Sequence, residues 1–191
     1  MLWLDSDAMC GKAWTVDPVA QMIRNKLVLM WDHFPQGFAT GADVQDRIQR
    51  SFDHRTLCNV TIVDGHFNPY FGNCWVDTKI GGVHGFLHIT NLDFYRSAPV
   101  QKWVNIFIGD TKFYRIYDDQ MAVTVPAAIL APNQSWDMRS HDINLQVLHN
   151  GYIDGHTKWK GGFFKMYWRR EGRFVFPEAA AKCDITDGGR R

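Results

Sequence analysis

Glutamate is nearly missing from this chain: only Glu171 and Glu178 carry it, while 18 of the 20 acidic residues are Asp. Asp is a poor helix former but a good turn, cap and hard-cation residue, so the skew favours a polar site built on loops. Source bias gives the same skew, and both explanations stay open. Charge of either sign is also lacking in excess, at 21 Lys and Arg against 20 acids. At a net charge of +1 nothing suggests a nucleic-acid groove, and no nucleic-acid partner is expected. No apolar run is long enough to span a bilayer and no signal peptide is visible, so a membrane anchor is expected only upstream of Met1. The four cysteines, Cys10, Cys58, Cys74 and Cys183, contain no Cys-x-x-Cys, which argues against structural zinc. They allow two disulfides or four buried thiols. No repeat and no linker interrupts residues 1–176, which read as a single α/β domain followed by a frayed tail at 177–191.

What is present begins at the first residues. Leu2-Trp3-Leu4 is an apolar run typical of a buried strand, and it stops on Asp5-Ser6-Asp7. Two carboxylates one residue apart suit a hard cation such as Mg²⁺ or Mn²⁺, and the end of a strand is where open α/β sheets bind ligands. The plain alternative is an Asx turn, since about two Asp-x-Asp pairs are expected by chance in a chain this rich in Asp. A chain that opens in mid-strand reads as the later part of a longer domain. Eight Trp and 13 Phe make it rich in aromatics, as in sugar-binding proteins, although a large core accounts for most of them. Asn59-Val60-Thr61 and Asn133-Gln134-Ser135 are glycosylation sequons, compatible with a secretory compartment.

Further along, Asp17-Pro18 predicts a helix cap and first turn, with Val19, Met22 and Ile23 on the buried face. Leu27 to Trp31 predicts a core strand. Val44, Ile48 and Phe52 recur every four residues on one face of a second helix, and 57–63 predicts another strand. The Gly-, Asn- and aromatic-rich stretch from Asp64 to Gly82 reads as a loop. Within it Asn73-Cys74-Trp75 is similar to the nucleophile context of papain-like proteases, but the residues after it make a poor helix. The stretch from Gly82 to Ser97 predicts a strand with a small residue at its start that runs into a polar turn, and Ser97 caps a helix burying Val100, Trp103, Val104 and Phe107. His88-x-Thr90 matches half of a two-histidine phosphoesterase signature with no second half. Asp118-Asp119-Gln120 opens a helix through Leu130 that Pro126 should bend, and Ile143 to Leu148 predicts a late strand.

Taken in order, the Asp-x-Asp, the strand with His84 and His88, the Asp-Asp-Gln helix start and His149 followed by Lys158 resemble retaining, metal-dependent glycosyltransferases of the GT-A fold. Leu2-Trp3-Leu4-Asp5-Ser6-Asp7-Ala8 is similar to the metal motif of the galactosyl/xylosyl-transferase group. Leu92-Asp93-Phe94-Tyr95-Arg96-Ser97 is more like the pattern of fungal-type α-1,2-mannosyltransferases. The resemblance covers about residues 1–160 and is patchy. It implies a GT-A-like (Rossmann-like) mixed sheet flanked by helices, missing part of the N-terminal nucleotide-binding half. It further implies Mn²⁺ or Mg²⁺ as cofactor, GDP-mannose or a UDP-hexose as donor, a glycan or glycoprotein as acceptor, and the Golgi or endomembrane lumen as setting.

Residue by residue, the resemblance assigns Asp5 and Asp7 to the metal and the donor. His149 completes the metal shell, with His156 as competitor, and Lys158 meets the donor phosphates. Asp119 and Gln120 lie by the donor sugar and acceptor. His88 stands where the mannosyltransferases carry a glutamate, which disfavours a covalent intermediate and favours a front-face mechanism. A cation would neutralise the departing diphosphate, and an oxygen from Asp119 or Gln120 would support an oxocarbenium-like carbon. Tyr152 and Trp159 are candidates for stacking on sugar faces. The competing expectation is a non-catalytic carbohydrate-binding or interaction remnant of a transferase.

Overall fold

The computed structural model describes residues 1–4, 9–10, 14–34, 38–39, 42–53, 55–72, 74, 79–83, 87–109, 119–143, 145, 147–149, 152–153 and 157–158. Twelve strands and five helices are assigned among them. In chain order they are β1 (Leu2–Leu4), β2 (Met9–Cys10), α1 (Pro18–Arg24), β3 (Leu29–Trp31), β4 (Phe38–Ala39) and α2 (Ala42–Ser51). Next come β5 (Leu57–Val63), β6 (His66–Phe71), β7 (Lys79–Ile80), β8 (Leu87–Thr90), α3 (Leu92–Tyr95) and α4 (Ala98–Ile108). The series ends with α5 (Asp119–Leu130), β9 (Ser135–Asp137), β10 (Val147–His149), β11 (Tyr152–Ile153) and β12 (Thr157–Lys158).

Six strands form the main sheet in the order β1-β8-β3-β9-β6-β5. Antiparallel β8 lies between β1 and β3, and β9 runs parallel to β3, so β1, β3 and β9 all end on the same edge. The fold class is therefore mixed α/β, a mixed sheet flanked by helices. A second sheet runs β12-β11-β10-β2, and β4 pairs with β7.

The pleat of β3 explains why the core has two halves. Leu29 and Trp31 face one side, with Ile48, Phe52, Trp103, Phe107 and Val125 from α2, α4 and α5. Met30 faces the other, with Met22 of α1, Leu87 and Ile89 of β8, and Met138. A strand buried on both faces needs the unbroken apolar run seen from Leu27 to Trp31. Trp31 stacks on Phe67 with ring centroids 4.1 Å apart.

Several elements form where the sequence signals lie. Asp17 caps α1, its carboxylate accepting the Val19 and Ala20 N–H groups at 2.9 and 3.0 Å. Only Met22 of the three expected α1 residues is buried; Val19 and Ile23 are 40% and 73% exposed. Val44 and Ile48 of α2, with Phe52 just past its end, form the buried stripe. In α4, Val100, Trp103 and Phe107 are buried, and Ser97 takes the cap position without a side-chain bond.

The stretch read as a loop from Asp64 to Gly82 holds two strands instead. Asp64 and Gly65 both have positive φ, +49° and +76°, the conformation of a two-residue hairpin turn, and Val63 pairs with His66 across it. A Cβ on Gly65 would fall 2.6 Å from His141 Nε2, so the turn also needs glycine for its close approach. Gly81 likewise leaves room for the Phe34 ring and the Val60 carbonyl. Cys58 of β5 is bridged to Cys74, which ties the far end of the hairpin and removes Cys74 as a nucleophile. The structure thus makes one disulfide among the described residues.

Candidate functional site

Asp5, Asp7 and His156 lie outside the described residues, as do His84 and Trp159. What the backbone shows is the course of the chain on either side of the two aspartates. β1 ends at Leu4 beside Leu87 of β8, and β2 starts at Met9, opposite Leu148 of β10. β10 ends on His149, whose register partner in β11 is Tyr152, and Tyr152 pairs in turn with Lys158 of β12. His149, Tyr152 and Lys158 therefore occupy one row across three neighbouring strands. The outer two backbones are about 10 Å apart at ordinary strand spacing. The sheet brings the late histidine and lysine together, and it pairs the histidine's strand with the residues that follow the Asp-x-Asp.

His88 has a different neighbourhood. It sits in register with Trp3 on one side and Trp31 on the other, is 7% exposed, and its ring lies nearly parallel to that of Trp3 at 6.0 Å between centroids. This is a packed position in mid-sheet. Trp3 is two residues before Asp5, so β1 links the packed His88 to the start of the acidic segment.

Asp119 opens α5 and Gln120, half-buried, follows it. The helix is held by Thr124, fully buried, whose hydroxyl accepts the Val83 N–H at 2.8 Å. Gln120 lies one turn before Thr124 on the same helix face. That contact fixes the first turns of α5 against the segment leading into β8. The Tyr95 hydroxyl, in the stretch similar to the mannosyltransferase pattern, donates to the Val123 carbonyl at 2.9 Å. Burial pushes its pKa well above the usual phenol range. Tyr95 thus docks α3 on α5, and Asn91 caps α3 through the Asp93 N–H at 2.9 Å.

Two polar groupings were not anticipated. Asp32, which directly follows β3, is 1% exposed at its side chain and accepts two bonds from Arg139, at 3.0 Å from Nη2 and 3.4 Å from Nε. Arg139 follows β9 in a 3₁₀ turn that Asp137 organises by accepting the Arg139 N–H and the Ser140 hydroxyl. The pair closes the carboxyl edge of parallel β3 and β9, the edge on which β1 also ends. The sequence signal was present in the Asp that terminates the Leu27–Trp31 run, but its partner is 107 residues away.

The second grouping lies across the β6–β9 contact. His141 stacks on Trp136, 3.9 Å between centroids and 13° between planes, and His66 meets both rings edge-on. Burial lowers the His141 pKa below its ordinary 6.5, with the neighbouring His66 adding to the effect and Asp137, the Gly65 carbonyl and Asp142 opposing it.

Among the described residues no three His, Cys, Asp or Glu side chains converge on a metal position. No described helix is long and apolar enough to cross a membrane. The class shown is a mixed α/β protein with its six-stranded sheet flanked by helices. No protein-family model, no curated protein and no solved structure matches the chain.

Proposed function

We propose that this chain belongs to a retaining, metal-dependent glycosyltransferase of GT-A type, moving a hexose from a nucleotide-sugar donor to a glycan or glycoprotein acceptor. Mannose is preferred over galactose or xylose. The observation that carries the reading is the pairing of Met9 with Leu148. Asp7 precedes Met9 by two residues, a reach of at most about 7 Å, and His149 follows Leu148 directly. In this reading Asp5, Asp7 and His149 would hold the metal, and two carboxylates and an imidazole are a donor chemistry that suits Mn²⁺ or Mg²⁺. When bound, such a cation supplies Lewis-acid neutralisation of the leaving diphosphate. In this reading Lys158, in the same strand row as His149, adds positive charge for the donor phosphates. Asp119 and Gln120 supply oxygen beside the anomeric carbon. The mixed sheet with antiparallel β8 between parallel β1 and β3 supports a GT-A-like frame. The Cys58–Cys74 bridge supports an oxidising lumen of the Golgi or endomembrane system.

The packing of His88 against Trp3 favours the second reading in one respect, because it leaves that histidine structural rather than reactive. A carbohydrate-binding or interaction module without catalysis is then the alternative. Incubation of the purified protein with GDP-mannose and UDP-hexoses, with Mn²⁺ or with a chelator, separates the two. Metal-dependent release of nucleoside diphosphate and a product of retained anomeric configuration are expected. Glycan binding with no metal uptake and no turnover on any donor leaves only the module.

A further inference from the structure

The hairpin β5–β6 carries a feature that the transferase reading does not use. β5 is an edge strand of the main sheet, and its residues alternate: Leu57 and Val60 are buried, while Asn59, Thr61 and Val63 are exposed. Asn59 and Thr61 are the first and third positions of a sequon. Across the ladder Asn59 pairs with Tyr70 and Thr61 pairs with Asn68. Directly paired residues share a face with Cβ atoms about 5 Å apart. Tyr70 is 66% exposed, the highest exposure of any large aromatic side chain among the described residues, and Asn68 beside it is exposed too. The Asn59 side-chain oxygen accepts the Val60 N–H at 2.8 Å.

We propose that Asn59 is an N-glycosylation site and that the first sugar of its glycan lies against the ring of Tyr70. The donor is an oligosaccharide linked through a diphosphate to a lipid. The Asn59 amide nitrogen bonds to the sugar C1, and the C1–O bond to the diphosphate breaks. The electron pair leaves with the lipid diphosphate, and the amide gives up one N–H proton. Three independent observations point the same way. The sequon sits on the solvent face of a strand, so a glycan displaces no packed group. The preceding residue, Cys58, is held in a disulfide, which forms in the compartment where this transfer takes place. The cross-strand neighbour is an exposed aromatic with no core to fill, and an aromatic face is the usual platform for the apolar face of a sugar.

The second sequon begins on a 3₁₀ turn at Asn133 and ends on Ser135, which is buried in β9, and Asn133→Gln removes it from the test. The full chain carrying Asn133→Gln is directed into the endoplasmic reticulum of a eukaryotic cell behind a cleavable leader, together with a reporter sequon. Peptide mass spectrometry after amidase treatment is expected to find residue 59 converted to Asp, and Asn59→Gln to abolish the electrophoretic shift. An unmodified Asn59 beside a modified reporter overturns the site. For the stacking contact, the glycosylated protein is expected to melt about 2–4 °C above its deglycosylated form. Tyr70→Ala should bring that difference near zero without changing occupancy. A difference that survives Tyr70→Ala overturns the contact.

Discussion

Trp103 donates its indole N–H to the Ala122 carbonyl at 3.3 Å, and Ala122 is the residue four positions before Pro126. In an unbroken helix that carbonyl accepts the N–H of residue 126, which proline lacks. One residue on, the Tyr95 hydroxyl donates to the Val123 carbonyl. The indole thus satisfies the one backbone carbonyl whose helical donor Pro126 removes, and the Tyr95 hydroxyl adds a second side-chain bond to the next carbonyl.

A double-mutant cycle tests this relationship. Trp103→Phe should cost about 2–3 kcal/mol, combining lost packing with an unsatisfied carbonyl. In a Pro126→Ala background the alanine N–H can reach Ala122, so the same change should cost about 1 kcal/mol less. Urea unfolding of the four proteins reads the difference, and strict additivity would mean that the indole bond contributes nothing.

The Cys58–Cys74 bridge closes a loop across 16 positions that contains the β5–β6 turn. Replacing both cysteines by alanine should lower stability by about 3 kcal/mol. Thermal melts with and without reductant should converge on the same loss for the native protein and show none for the double variant.

Asp32 and Arg139 make an ion pair with one partner in the interior and one at its rim. Arg139→Ala leaves a buried carboxylate without its fork of donors and should cost about 3 kcal/mol. Arg139→Lys should recover part of that, since an ammonium cannot bond both oxygens in the same plane. Denaturant titration at neutral pH measures both.

His141 sets a pH dependence whose sign follows from its lowered pKa. Above pH 6.5 the ring is neutral whether the chain is folded or unfolded, and it contributes no slope. As pH falls below 6.5 the unfolded chain takes up the proton first, so stability drops until the folded pKa is passed. His141→Gln should flatten the stability profile just below pH 6.5, measured by urea unfolding at a series of pH values. His66→Gln should make the loss smaller and end it at a higher pH, because it removes a neighbour that disfavours the charged form and so brings the folded pKa closer to 6.5.

For the proposed transferase, the two late histidines give opposite expectations. His149→Ala should lower Mn²⁺-dependent turnover by about a hundredfold or more, as loss of a ligand does. His156→Ala should leave it within about threefold, given that the register places His149 on the strand paired with β2. The reverse ranking, read by donor hydrolysis over a range of Mn²⁺ concentrations, would move the ligand to His156.

Local chemistry was enough to read α1 from Asp17-Pro18, α2 from its Val44, Ile48, Phe52 spacing, α4 from its apolar stripe and β5 at residues 57–63. Each of these signals acts over one or two turns of chain, where propensity and periodicity dominate. The β5–β6 hairpin was legible in Asp64-Gly65 but was hidden by the Asn, Pro and aromatic content of its second strand. Strand β9 carries only Ser135-Trp136-Asp137, too short for any alternation to mark it. The acidic segment and the two late histidines stood out by residue type, yet residue type does not say which segments meet.

Tertiary structure alone decided which strands lie side by side. The pairing of β2 with β10, of Asp32 with Arg139, of Cys58 with Cys74 and of Asn59 with Tyr70 joins residues 11 to 139 positions apart. Such contacts depend on chain closure and on burying two faces of one sheet at once. The order of residues determined the local elements and the chemistry available to them. Packing determined that His88 is a core ring, that Cys74 is bridged, and that the strand bearing His149 borders the chain that follows Asp7.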